Sequence, residues 1–257
     1  MKKLLSVLLA MLMLLSMPPV IAEEAAPADE EPAQVLGETW YGPYKIRMYD
    51  DQTCVIIQIL QKEKYSELDI PAMLGKYKVV GIGDSAASSN KYLTRVSIPD
   101  SVVYIGVRAF WVCKNLVEVK LGESVLVIEE DAFAQNERLS NVSLGSNVLL
   151  IGESAFYMCS ALQSITLPET VMKIGFNAFN SCKSLTSVVI PDSVEKLGNS
   201  AFSGCYSLQS VDVIGDVAFI GSDVFYQGKT PFLTVSVTEN SLMHLYCDAW
   251  DYPYVLK

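Results

Sequence analysis

Histidine is nearly absent from this chain: His244 is the only one in 257 residues. Serine and cysteine triads need an imidazole base, so they are excluded everywhere except beside His244. Cys247 follows it by three residues, the spacing of a nucleophile and base on one helix face. No third, orienting residue accompanies the pair, and packing within a terminal helix is the expectation. Basic residues are also scarce, 19 against 29 acids, so the clustered positive charge that nucleic-acid phosphates require is missing. There is no glycine-rich phosphate loop, because the glycines recur at one long period instead. Paired carboxylates could in principle cleave a glycoside, which keeps a hydrolase as the weakest reading. Glu129-Glu130-Asp131 and Asp50-Asp51, however, fall in expected turns. No residue pattern asks for a cofactor or a metal.

Long apolar runs are lacking too. The stretch Leu4–Met17 follows Lys2-Lys3 and precedes the small-residue site Val20-Ile21-Ala22. At about 14 residues it falls short of a bilayer span and fits a cleaved secretory signal over residues 1–22. Cleavage removes two lysines and no acid, taking the formal charge from −10 to −12. Residues 23–37, rich in Glu, Asp, Ala and Pro, read as a solvated linker. No membrane span is expected after signal cleavage, and the destination is the cell exterior or surface. The whole chain is 51% apolar, enough for a large core.

What the chain has in abundance is repetition. The phrase I-G-x-x-A-F begins at Ile105, Ile128, Ile151, Ile174, Leu197 and Ile220, each step 23 residues, with Ile82 one step earlier. Fixed slots follow: Gly after the Ile (Glu129 the one exception), then a Phe file from Phe110 to Phe225, then Leu. Next come pairs such as Val119/Leu121, Ile165/Leu167 and Val188/Ile190, whose alternation and β-branching mark a strand with one buried face. One strand per 23 residues in constant register cannot make hairpins. Each must lie parallel to its predecessor after a full coil of chain. The A-F segment on the return path suits a short helical turn, and the Gly slot suits a positive φ or a close backbone approach. Glu129 in that slot is expected to be a local strain point.

Solenoid ends need caps. Residues 38–81 supply an N-terminal cap: a hairpin of Tyr44–Tyr49 and Thr53–Leu60, then an irregular first coil. Residues 82–237 form the solenoid, whose last copy slips by one residue to place Phe232, Val235 and Val237 in the strand slots. In the C-terminal cap, 238–257, Asn240 or Ser241 caps a helix running through Ala249.

Copies such as Ala178–Gly198, A-F-N-S-C-K-S-L-T-S-V-V-I-P-D-S-V-E-K-L-G, resemble the BspA-type leucine-rich repeat of bacterial surface and secreted proteins. The resemblance spans about Ile70 to Val237. It implies a leucine-rich-repeat solenoid, one parallel strand per coil with short helical turns opposite, and a loose association with adhesion and protein binding. It implies no reaction and no catalytic residues. Cys113, Cys159, Cys182 and Cys205 share one slot with Asn90 and Asn136, matching the Asn/Cys position of such repeats. Stacked thiols neither converge on a metal nor aim their sulfurs at one another, so free buried thiols are expected. Asn141-Val142-Ser143 matches a glycosylation sequon by chance, within a strand.

Two surfaces remain as candidates. Outward strand positions form rows across the sheet: Glu67, Arg95, Glu118, Asn141, Ser164, Ser187, Ser210 and Thr234, with Asp69, Ser97, Lys120, Ser143, Thr166, Val189, Asp212 and Ser236 beside them. The rows are charged at the first coils and rich in hydroxyls beyond. The second surface is aromatic: Trp111, Tyr157, Tyr206 and Tyr226, which vary between copies where framework slots do not. The function expected is binding of an extracellular protein or peptide, with a glycan or cell-wall ligand as the alternative.

Overall fold

The computed structural model describes residues 32–227 and 233–257. The expected signal, most of the linker and Phe232 lie outside the described residues. The rest is a parallel solenoid of 23-residue coils. Eight residues per coil point inward, in one copy Val96, Ile98, Val102, Ile105, Ala109, Phe110, Cys113 and Leu116, and all are buried.

The strand slots pair as expected: Glu67–Asp69, Arg95–Ser97, Glu118–Lys120 and Asn141–Ser143 form one sheet, and Ser187–Ile190, Ser210–Val213 and Thr234–Val237 belong to another. Val211 pairs with Val235, which confirms the one-residue slip. A second strand per coil goes beyond the expected single one. Two-residue strands ending on the repeated Ile, from Tyr104–Ile105 to Phe219–Ile220, align in register in an 11-stranded sheet.

The return side corrects the expectation of helical turns. It is a succession of tight turns with two files of left-handed residues. Ser85, Arg108, Asp131, Ser154, Asn177, Ser200 and Asp223 form one file, and Ser89, Val112, Gln135, Met158, Ser181 and Gly204 the other. The reason is where the hydrogen bonds go. A helix bonds each N–H within itself, whereas here Phe110 N–H donates to Ala132 O, Phe133 to Ala155 and Phe156 to Ala178, each at 2.8 Å, in the next coil.

Inside these turns the phenylalanines make the expected column. Phe110, Phe133, Phe156, Phe179 and Phe202 stack with centroids 5.1–5.3 Å apart and planes within 8°. Phe225 continues it at 5.9 Å, and the edges of Tyr246 and Tyr252 close it. The Gly slot is a close-approach position. Gly152, Gly175 and Gly198 have no positive φ, and a Cβ on them would sit 2.4–2.7 Å from backbone of the preceding coil. Glu129, expected as a strain point, is not left-handed.

The N-terminal cap is a three-stranded antiparallel sheet, not a two-stranded hairpin. Its strands are β1 (Val35–Tyr41), β2 (Tyr44–Tyr49) and β3 (Thr53–Ile59), the last running parallel to Tyr77–Ile82. β1 thus begins at Val35, inside the stretch expected as linker. At the other end Ser241 caps helix α1 (Leu242–Trp250), its hydroxyl accepting from His244 N–H at 3.1 Å. Met243, Tyr246 and Cys247 of α1 are buried, and Tyr254–Leu256 pairs along Val235–Val237.

Truncating one ring of the column, Phe156→Ala, is expected to cost about 3–5 kcal/mol in chemical denaturation. The left-handed backbone works in the opposite direction at Val112, whose φ is 56°. A β-branched side chain there is strained, so Val112→Asn is expected to raise stability by about 1 kcal/mol.

Candidate binding face

The outward residues of the strand slots stand on one face in the order the repeat dictates. Glu67 pairs with Arg95, Arg95 with Glu118 and Glu118 with Asn141; Asp69, Ser97, Lys120 and Ser143 run alongside. Farther along, Ser164 meets Ser187, then Ser210 and Thr234. Both ends of the face are tied down by charge. Arg95 Nη1 reaches Asp69 Oδ1 at 2.9 Å and its Nε reaches Glu67 Oε2 at 3.4 Å. The C-terminal Lys257 ion-pairs with Asp212. Between them Glu118, Lys120, Asn141, Ser143, Ser164, Thr166, Ser187 and Ser210 are exposed.

The face is interrupted at its middle. Ile98 N–H donates to Lys120 O and Leu121 N–H to Ser143 O, but no corresponding bond joins Leu144 to Thr166. Asn141–Ser143 is therefore an edge strand. The opening is a notch of two parts. One, about 240 Å³, is lined by Glu118, Lys120, Asn141, Val142, Ser143 and Ser164. The other, about 530 Å³, is lined by Ser143, Leu144, Ser146, Thr166, Pro168 and Glu169. Val142 and Leu144 are half-buried there, whereas Val119, Leu121, Ile165 and Leu167 in neighbouring coils are buried. A Cβ on Gly145 would lie 2.3 Å from Gly122 O, and the next coil carries Pro168 in that slot. The slots are perfect through this region, so no sequence signal marked the break.

The aromatic candidates do not join this face. Trp111, Tyr157 and Tyr226 share the slot after the Phe, on the turn side, and Tyr206 lies three residues further along its own coil. Trp111 and Tyr157 are half-buried, and Tyr206 and Tyr226 exposed. Among the described residues no ring contact links any two of the four.

The thiols act as framework. Cys113, Cys159, Cys182 and Cys205 are buried and free, and each S–H donates to a carbonyl of the preceding coil at 3.1–3.3 Å. Asn136 makes the same link, to Phe110 O at 2.9 Å. Burial pushes Cys113, Cys159 and Cys205 up to about 12, and Cys54 and Cys247 to about 11. Cys247 is thus held as a thiol, and His244 Nδ1 accepts from Asn240 N–H while Nε2 lies 3.8 Å from Asp248. The reactive species is the thiolate, so a thiol reagent at pH 8 is expected to leave all six cysteines of the folded protein unlabelled and to label them once it is denatured.

The comparisons with known proteins agree with this architecture. The BspA type leucine rich repeat region matches with six copies, over residues 80–209 and 127–247. No curated protein matches. Among solved structures, a leucine-rich-repeat protein of T. pallidum is 28% identical with a TM-score of 0.67, over 74% of this chain and 88% of that one. One from Bacteroides ovatus is 25% identical with a TM-score of 0.61, over 83% and 66%. A leucine-rich cell surface protein of Faecalibacterium prausnitzii is 26% identical with a TM-score of 0.51, and the chain covers 56% of its length. With its slots, its stacked coils and a family match across more than half its length, the chain belongs to the BspA-type leucine-rich-repeat family.

Proposed function

We propose that this chain is an exported, non-enzymatic binding module that takes up an extended protein or peptide segment at the notch between Asn141–Leu144 and Ser164–Leu167. The observation that carries the reading is the open strand edge in the middle of the exposed rows. An open edge offers unpaired N–H and C=O groups, and peptides add to such edges by main-chain bonds, with alternate side chains entering flanking pockets. Val142 and Leu144 supply apolar floor for one such side chain. Glu118, Lys120, Ser143 and Thr166 supply polar contacts around it. Export rests on the signal-like residues 1–22 and on the surface location stated for the F. prausnitzii relative. No helix among the described residues is long and apolar enough to cross a membrane.

The glycan reading gains less support. Sugar rings are gripped by aromatic faces set among hydroxyls, and here the hydroxyl rows and the aromatics occupy different sides of the coil.

An unbiased peptide-display screen followed by titration tests the proposal. Lys120→Glu and Thr166→Ala are each expected to weaken a selected peptide about 5- to 150-fold, at 1–3 kcal/mol per lost contact. Pro168→Gly, which removes a ring from the lining of the notch, is expected to weaken binding as well. A selected ligand indifferent to all three changes but lost on Tyr206→Ala would move the site to the aromatic side.

A further inference from the structure

The sheet that carries Ser187–Ile190, Ser210–Val213 and Thr234–Val237 ends on the strand Tyr254–Leu256, which is paired on one side only. Tyr254 lies beside Val235, Val255 beside Ser236 and Leu256 beside Val237. Val235 and Val237 point into the core and are fully buried. Tyr254 and Leu256 stand in the same inward files but are 37% and 46% exposed, because no further strand of the described residues covers them. Val255, on the outward face, is 54% exposed. Leu245 is exposed as well, on the side of α1 opposite the buried Met243, Tyr246 and Cys247, so it points off the same end.

The backbone of this strand is only half answered. Pro253 O accepts from Val235 N–H at 2.9 Å, and Lys257 N–H donates to Val237 O at 3.0 Å. Alternate residues of a strand turn their polar groups to opposite edges, so Pro253, Val255 and Lys257 face the sheet. Tyr254 and Leu256 therefore aim two N–H and two C=O groups at the open edge, and none of the four has a partner among the described residues. Other outer edges are blunted by charge. β1 carries Glu38, held by Lys45 and Arg47, and Glu67–Asp69 carries two acids held by Arg95. Tyr254–Leu256 is uncharged, and the adjoining Lys257 is turned away to Asp212.

We propose that this edge pairs antiparallel with the same edge of a second copy, about a two-fold axis beside Val255. Tyr254 of one copy then lies opposite Leu256 of the other and exchanges two hydrogen bonds with it, and the symmetric pair exchanges two more. All four open groups of each strand are satisfied, with Val255 facing Val255 as the pair without bonds between them. No slipped register does this. Setting Tyr254 against Tyr254, for example, leaves Leu256 facing Tyr252, whose N–H is already given to Cys247 O. The axis runs along the sheet normal and lies in the plane of the end, perpendicular to the solenoid axis. Half a turn about it reverses the strand and stacking directions but keeps outward faces outward. The two sheets so join into one, Tyr254 packs beside the partner's Leu256, and each Leu245 is brought toward the partner's cap. A lone foreign strand would satisfy the same backbone groups but leave Leu245 in water. A second copy covers strand and helix together, as an isologous contact does. The notch between the coils of Asn141 and Ser164 is apart from this end and stays open.

Sedimentation of the chain from micromolar to submillimolar concentration, with thermal melting as the control for folding, tests the pairing. The wild type is expected to dimerise. Val255→Lys and Val255→Glu, at an exposed outward position, are each expected to weaken dimerisation at least about tenfold by setting like charges on the axis. An equimolar mixture of the two, which sets opposite charges there, is expected to dimerise again. Leu256→Pro removes an open-edge N–H and no bond to Val237, and is expected to give a monomer. Should that variant also melt early, the Val255 mixture decides. A wild type that stays monomeric throughout, a dimer indifferent to the Val255 charges, or a mixture that stays monomeric overturns the proposal.

Discussion

The structure depends on one constraint: successive coils must return to the same angular position, after 23 residues in all but the first and last, so that backbone groups not bonded within a turn find partners in the neighbouring coil. On the two strand sides N–H groups mostly reach back, as Gly175 to Ile151 O at 2.8 Å. On the turn side they reach forward, as Phe156 to Ala178 O. No coil satisfies its own backbone, so none is stable alone, and buried N–H and C=O groups left unpaired would be costly. The phenylalanine column and the Cys/Asn file follow from this. Both occupy places where the chain bends with its carbonyls turned inward, and both exist only because the same bend recurs 5.1–5.3 Å further on.

The repeated inward slots were legible because a period of 23 is visible without any knowledge of conformation. The Phe column, the strand at Val119/Leu121, the slip at Val235 and the Ser241 cap all read directly from spacing and residue type. Three features did not. The turn files were obscured because their left-handed positions carry Arg108, Val112 and Met158 as well as Ser, Asn and Asp. Interlocking hydrogen bonds impose the φ there, against local preference. The second sheet was obscured because two-residue strands have no alternation to detect. β1 was obscured because Val35 and Leu36 follow an acidic Ala/Pro stretch, and their strand character comes only from pairing with β2.

A framework this strict divides the surface by chemistry. Outward strand positions carry charge and hydroxyls, whereas positions outside the second sheet carry Leu126, Leu149 and Met172. Both sets were free to vary, since neither touches the Phe column. Their difference is therefore information about what each side meets. The candidate rows on the strand face were readable from alternation. The apolar strip was not, because Val103 and Tyr104 lie between two inward residues, Val102 and Ile105, and a corner there breaks the period of two.

The notch shows how such a fold can open locally. Leaving the coils of Asn141 and Ser164 unpaired would be expensive in a sheet that was the only link between them. Here the Phe133–Phe156 stack stays at 5.3 Å, and Leu150 and Lys173 remain paired on the other sheet. Two of the three sides hold, so the third can part without unzipping the solenoid. A solenoid held on three sides can thus keep an open strand edge in its interior, shielded from the edge-to-edge association that exposed terminal edges invite.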